Sequence, residues 1–149
     1  MPKSPSRKTL VTKLDAVFSE YIRRRYAKND IAQCVTCGKK DHWKNLQAGH
    51  FISRKHYATR WNEENVQVQC VACNVYRYGE QYLFGVYLGE EKSQELLQLS
   101  RQSAKFSNID LQEKINYFKM KINEIIWYIW YILSFHNTWL FLILEEGRS

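Results

Sequence analysis

The sequence predicts an α+β fold: a small metal-stapled core flanked by helices, with a long helix at the C-terminal end. Three observations carry this. All four cysteines fall in two Cys-x-x-Cys pairs, Cys34/Cys37 and Cys70/Cys73, with 32 residues between the pairs. Apolar residues recur at three- and four-residue steps over residues 10–22 and again over 111–129, which is helical spacing. Between them, Val66 and Val68 alternate with Gln67 and Gln69, as in a short strand.

At 149 residues, 45% hydrophobic and 15% aromatic, the chain can build one core with an appendage and is unlike a disordered polymer. Its net charge of +7 is unevenly placed. Residues 1–60 hold 14 Lys/Arg and four Asp/Glu, whereas residues 61–149 hold eight and eleven. A basic front half suits a polyanion, nucleic acid above all, against the plainer reading of a solvated basic face. The basic N-terminus has no apolar stretch behind it, so no signal peptide is read. Paired Cys-x-x-Cys in that setting indicates metal in a reducing compartment, not disulfides.

Taken in order, residues 1–8 read as a disordered basic terminus. A helix from Thr9 buries Leu10, Leu14, Val17, Phe18, Tyr21 and Ile22. Arg23, Arg24, Arg25 and Lys28 close it, where cations suit the helix dipole and can also meet a phosphate backbone. Cys34–Gly38 has the form of a zinc knuckle, with Gly38 permitting the tight turn. Trp43 and Leu46 are core candidates. Residues 46–52 read as a strand holding His50, and residues 53–60 as a basic loop carrying Arg54, Lys55 and Arg60. Residues 71–88 read as a helix with Cys73 and Asn74 in its first turn, weakened at Gly79 and Gly85 and open to a break near Gly79. Its Tyr76, Tyr78, Tyr82, Phe84 and Tyr87 read as a core stripe in preference to a base-stacking platform. Residues 90–100 form a second short helix and 101–108 a polar connection.

Asp110 with Glu113 resembles a capping box opening the last helix. There Leu111, Ile115, Phe118, Ile122, Ile125 and Ile129 make a heptad seam. It suits a coiled-coil homodimer and packing back on the core equally well. Residues 125–149 form a hydrophobic C-terminal helix or tail. Residues 125–144 carry no charge and meet the bilayer requirement of about 20 residues. The polar cluster Ser134, His136, Asn137 and Thr138 opposes a membrane span. The abrupt change of composition at Trp127 equally suits a frameshifted end.

Four thiolates at this spacing, Cys34, Cys37, Cys70 and Cys73, can hold one tetrahedral Zn²⁺, with His42 or His56 as the replacement ligands considered. Between the pairs lie His50 and Asn65, and Asn74 follows Cys73 directly. Hydrolysing a phosphodiester needs an activated water, a Lewis acid and positioned cations. A neutral His50 can take the water's proton. Asn65 can orient that imidazole through its ring N–H, and Asn74 can offer a carbonyl oxygen to a hard cation such as Mg²⁺ or Mn²⁺. Arg54, Lys55 and Arg60 can hold phosphates. Singly these are ordinary polar residues; their order inside two Cys-x-x-Cys pairs is more specific.

That order resembles the HNH (ββα-metal) endonucleases in their zinc-stapled form. A fuller resemblance rests on KLDAVFSEYIRRR, CVTCGKK, LQAGHFISR, ATRWNEENV and QCVACN. These segments are similar to the lambdoid phage NinG/Rap recombination protein family, from about Lys13 to Glu124. The resemblance implies a treble-clef-like, HNH-like core over 34–74 within a nuclease domain of 9–124. It implies structural Zn²⁺, catalytic Mg²⁺ or Mn²⁺, and His50, Asn65 and Asn74 at the three HNH positions. It further implies a structure-selective DNA endonuclease of phage recombination, acting on branched DNA or Holliday junctions in the host cytoplasm. Other phage recombination proteins are implied as partners.

Three features depart from the family pattern, one being the aromatic-apolar 127–149 segment where a charged helical end is expected. Many HNH enzymes carry an acidic metal ligand just before the first His. Here that residue is Gly49, so Glu63, Glu64 or a water must complete the shell. Gln67 and Gln69 stand where a further His is expected. The rival expectations are a non-catalytic zinc-binding DNA module, which Gly49 favours, and a recombination scaffold dimerising through the last helix.

Overall fold

The computed structural model describes residues 4–146, with side chains described as far as Ile132. Helix α1 (Arg7–Arg24) starts ahead of Thr9 because Ser6 caps it, its hydroxyl accepting from the Thr9 N–H at 3.2 Å. The expected stripe is buried at Leu10, Leu14, Phe18, Tyr21 and Ile22, with Val17 half-buried beside it. It packs on the long helix α5 (Asn108–Glu146), whose Leu111, Ile115, Phe118 and Ile122 are also buried. The Phe18 and Phe118 rings meet edge-on at 4.8 Å. Burying such a side chain is worth about 1.5–3 kcal/mol. The heptad seam is therefore committed to the core over these four positions and is not a free coiled-coil face. Ile125 packs only at the margin, and Ile129 is exposed.

The α5 cap sits one turn earlier than expected. Ser107 N–H donates to Asp110 Oδ2 at 2.6 Å, and Asp110 N–H donates to Ser107 Oγ at 3.1 Å. Asp110 is thus the reciprocal partner of the capping box, and Ser107 is the cap.

Between α1 and α5 lies an α+β core, as expected from the sequence. Strands β1 (Ile31–Gln33) and β2 (Lys40–His42) form one antiparallel pair. Strands β3 (Gln47–His50) and β4 (Val66–Gln69) form another, with His50 opposite Val66 and Gly49 opposite Gln67. The short helix α2 (Tyr57–Arg60) lies in the β3–β4 connection. Trp43 is buried and its Nε1–H donates to Asp30, so it is core, as read from the sequence.

The arginines closing α1 hold it to this core. Arg23 donates to the Trp43 carbonyl, and Arg24 lies 3.9 Å over the Trp43 ring. Arg25 donates to the carbonyls of Glu63 and Val66 and to Gln67 Oε1. Three charges counted toward a nucleic-acid surface are thus inner braces.

The expected helix over 71–88 is broken. Ala72–Tyr76 is a single wide turn, and helix α3 (Gln81–Leu88) resumes after it. Tyr78 (φ 53°), Gly79 (φ 88°) and Glu80 (φ 48°) all take left-handed backbone between them. That break shifts the helical phase, and the aromatic stripe is lost with it. Phe84 alone of the five is buried, against Phe51 at 5.7 Å; Tyr76, Tyr78, Tyr82 and Tyr87 are exposed. Helix α4 (Glu90–Ser100) has the bounds expected from the sequence.

Among the described residues no helix is long and apolar enough to cross a membrane. Trp127, Tyr128 and Trp130 are exposed. The polar cluster weighed in the membrane reading lies outside the residues whose side chains are described.

Candidate functional site

The two Cys-x-x-Cys pairs converge. In the first, Gly38 N–H donates to the Cys34 carbonyl at 2.9 Å, and the turn closes through Gly38 at φ 75°. Val35 N–H donates to the Val68 carbonyl at 2.9 Å, which ties this knuckle to β4 and so to Cys70 just beyond it. All four sulfurs lie within 4.8 Å of one another, with Cys37 and Cys70 Sγ at 3.7 Å. A tetrahedral site with Zn–S near 2.3 Å has sulfur–sulfur edges of about 3.8 Å.

The electrostatics point the same way. Burial pushes the Cys73 thiol up to about 12, with the three neighbouring sulfurs adding to it. Burial also raises Cys34, but hydrogen bonds from Thr36 and backbone N–H groups outweigh it and bring that thiol to about 6. Four sulfurs this close cannot all ionise without a cation among them. The donor set therefore suits a structural metal ion such as zinc. His42 and His56 lie outside the cluster: His42 Nδ1 accepts from Lys44 N–H, and His56 Nδ1 meets the Ser100 carbonyl.

Beside this centre is a cavity of about 420 Å³ lined by His50, Asn74, Arg54, Asp15, Ser19 and Arg23, among others. His50 ends β3, and its Nε2 lies 3.1 Å from the Arg60 carbonyl. In the neutral ring, a proton on Nε2 makes that contact and leaves Nδ1 with its lone pair. Burial lowers the His50 pKa to about 4; Arg54 and Arg60 push it the same way, against the Arg60 carbonyl and Asp15. The imidazole is therefore neutral at pH 7. Asn74 donates from Nδ2 to Gln47 Oε1 at 2.7 Å, so its Oδ1 is left as an acceptor.

Asn65 is placed differently from its expected role. It is fully buried, and its Oδ1 accepts from Ile52 N–H at 2.6 Å. Its Nδ2 donates to the carbonyls of Ile52 and Thr59, both at 3.0 Å. It fastens the loop after β3, while the Arg60 carbonyl takes the contact with His50. Arg60 also departs from expectation. Its guanidinium grips Asp15 through Nε at 3.0 Å and Nη2 at 2.5 Å, and its Nη1 donates to the Arg54 carbonyl. It is a brace between α1 and α2, not an open phosphate ligand. Arg54 and Lys55 are exposed.

The carboxylates expected to replace the one missing at Gly49 lie elsewhere. Glu63 accepts from the Tyr21 hydroxyl at 2.7 Å, and Glu64 pairs with Lys92 at 2.6 Å. Both line a different hollow. The acid that does line the His50 cavity is Asp15, which also accepts from Trp61 Nε1–H at 2.8 Å. The signal for it was an acidic residue set between Leu14 and Phe18 on the core side of α1, where a charge needs a partner.

Gly49 has a packing reason of its own. A Cβ there would overlap Gln69 Oε1 and lie 2.7 Å from Gln69 Cδ. Gln69 is fully buried and donates to the Gly79 carbonyl at 2.8 Å. Gln67 accepts from Arg25 and donates to the carbonyls of Glu63 and Glu64. Neither glutamine lines the cavity, so neither stands in for a histidine there.

A family model described as Bacteriophage Lambda NinG protein matches residues 3–126 of the chain. No curated protein and no solved structure matches it.

Proposed function

The chain belongs to the bacteriophage lambda NinG family of phage recombination-related proteins, and on that premise we propose that it is a metal-dependent HNH-type endonuclease cutting branched DNA. The observation that carries the reading is the convergence of His50, Asn74, Asp15 and Arg54 on one cavity beside the four-cysteine cluster. His50 Nδ1 is the base that takes a proton from the attacking water, and the Arg60 carbonyl holds the ring while it does so. Its low pKa keeps the ring unprotonated across the physiological range, while lowering its basicity.

Asn74 Oδ1 and the Asp15 carboxylate would hold a Mg²⁺ or Mn²⁺ ion, which needs only one or two protein oxygens when phosphate and water supply the rest. Such an ion supplies Lewis-acid polarisation of the phosphate and the leaving oxygen. Arg54 and Lys55 position the backbone through their charges, and the four-cysteine centre fixes the two strands that carry the site. Branched DNA, phage recombination proteins as partners and the bacterial cytoplasm as its place of action belong to the same proposal.

A second reading, a zinc-binding DNA module without catalysis, is favoured by Arg60 occupying the one carboxylate in the cavity. Cleavage of branched and linear DNA by the full chain, with Mg²⁺ or Mn²⁺ added, separates the two. We expect His50→Ala to lose about 10²–10⁴-fold in turnover with DNA affinity and zinc content retained. Undiminished cleavage by that variant refutes the base assignment, and no cleavage by the parent chain favours the second reading.

A further inference from the structure

The most exposed large apolar side chains among the described residues are Tyr78 at 90%, Tyr82 at 81% and Tyr76 at 75%. All three stand on one short stretch, 76–82, spanning the break before α3. This stretch adjoins the His50 cavity at two points. At one end Asn74 and Val75 line the cavity itself. At the other, Phe84 packs, tilted, at 5.7 Å against Phe51, the residue after His50. The backbone between is held firmly. Gly79 N–H donates to the Cys73 carbonyl at 2.9 Å, and Gln69 donates to the Gly79 carbonyl at 2.8 Å.

Tyr78 itself sits at φ 53°. A bulky residue pays a steric cost in left-handed backbone that glycine or asparagine would avoid. An aromatic ring is thus kept in a strained position and turned almost wholly to solvent, where packing gains nothing from it. Charge is equally informative. Arg77 and Glu80 are the charged residues of 71–88, and they pair with each other at 3.0 Å. The stretch offers ring faces, while open cationic charge beside the same cavity comes from Arg54.

Ring faces next to a cation suit a planar, π-bearing group on an anionic backbone, which is a nucleotide with its base unstacked. Paired duplex buries its base faces, so only unpaired bases fit. We propose that Tyr76, Tyr78 and Tyr82 form a stacking platform for unpaired bases of a single-stranded DNA segment adjoining the His50 cavity. The proposal rests on DNA being the ligand, but not on its being cut. Stacking on an aromatic side chain is sequence-tolerant and worth about 1–3 kcal/mol per base, or roughly 5- to 100-fold in affinity.

The test compares the full chain with a Tyr76→Ala/Tyr78→Ala/Tyr82→Ala variant and with the matching triple Phe variant. Each is titrated with a single-stranded oligo(dT) and with a blunt duplex of equal length, in buffer without Mg²⁺ or Mn²⁺. The Ala variant should lose at least 5-fold in oligo(dT) affinity with duplex affinity unchanged, and the Phe variant should bind as the parent does. Tyr78→Gly alone should weaken oligo(dT) binding while its thermal midpoint holds or rises, since it relieves the left-handed strain. Unchanged oligo(dT) binding by the Ala variant overturns the platform. So does an equal loss on both DNAs, a loss in the Phe variant, or a shift from dimer to monomer on sedimentation, which would mark a self-association face. If the parent chain binds neither DNA, the nucleic-acid reading itself fails. If it binds the duplex as tightly as oligo(dT) and the tyrosines do not matter, only the platform fails.

Discussion

Asn65→Ala separates a residue that orients a base from one that holds the fold. The structure puts three contacts on this buried carboxamide: Ile52 N–H at 2.6 Å, the Ile52 carbonyl at 3.0 Å and the Thr59 carbonyl at 3.0 Å. Truncation to alanine would leave the Ile52 N–H and the Ile52 carbonyl short of a partner, while the Thr59 carbonyl keeps the backbone N–H groups of Trp61 and Asn62. Each buried group left unsatisfied costs about 1–3 kcal/mol. Water entering the vacated space would recover part of that, so about 2–4 kcal/mol is the expected loss. For a chain of this size, each kcal/mol lowers the thermal midpoint by about 2–4 °C. The midpoint should therefore fall by roughly 4–16 °C. Circular dichroism on heating, with metal content measured alongside, reads this directly. Asn65→Asp keeps the acceptor for Ile52 N–H but sets a carboxylate against two carbonyls, and should be no better. If Asn65→Ala melted with the parent chain and yet lost DNA cleavage, the loop-fastening argument would be refuted. The sequence expectation of an imidazole-orienting asparagine would then return.

Three further outcomes follow from the same geometry. Arg54→Ala and Lys55→Ala should each weaken DNA binding and flatten its dependence on log salt by about 0.7–0.9, as the loss of one phosphate contact requires. Arg60→Ala should instead lower the thermal midpoint, because it breaks the Asp15 brace. Burial lowers His50 in the folded chain to about 4, so between about pH 6.5 and pH 4 the unfolded chain binds the extra proton. This contribution to stability is full above about pH 6.5 and is lost as pH falls toward 4. Denaturant titrations at pH 7 and pH 4.5 on the parent and His50→Gln should show the parent's fall reduced in the variant.

Much of the fold could be read because it rests on period and spacing. The α1 stripe, the β4 alternation, the bounds of α4 and the convergence of four cysteines are all local or near-local patterns. What could not be read depended on which way a long side chain turns. Arg23, Arg24, Arg25 and Arg60 look like surface charge in sequence, yet they donate to buried carbonyls, a ring face and a carboxylate. Snorkelling arginines serve either purpose, and composition does not distinguish them. The aromatic stripe failed for a different reason. Helical spacing holds only while the helix does, and left-handed backbone at Tyr78–Glu80 resets the phase. Gly79 flagged a break there, but not that two non-glycine neighbours would share its conformation.

The residue before His50 ties these strands of argument together. A glycine where many HNH enzymes carry an acid reads from sequence as a missing part. In the structure Gly49 is instead half of a packing pair, since Gln69 fills the space its side chain would need and holds the Gly79 turn from there. An acid placed back at position 49 would displace that glutamine from a fully buried position, at the 1–3 kcal/mol usual for overpacking or more. The carboxylate at the cavity comes from another element, α1, and it arrives braced. Asp15 is gripped by the Arg60 side chain, while the Arg60 backbone carbonyl meets His50 Nε2. One residue therefore links the acid to the imidazole. The helix that buries Leu14 and Phe18 against α5 also fixes where both groups stand. Under the proposed function, the docking of α1 brings to the cavity the carboxylate that position 49 does not supply.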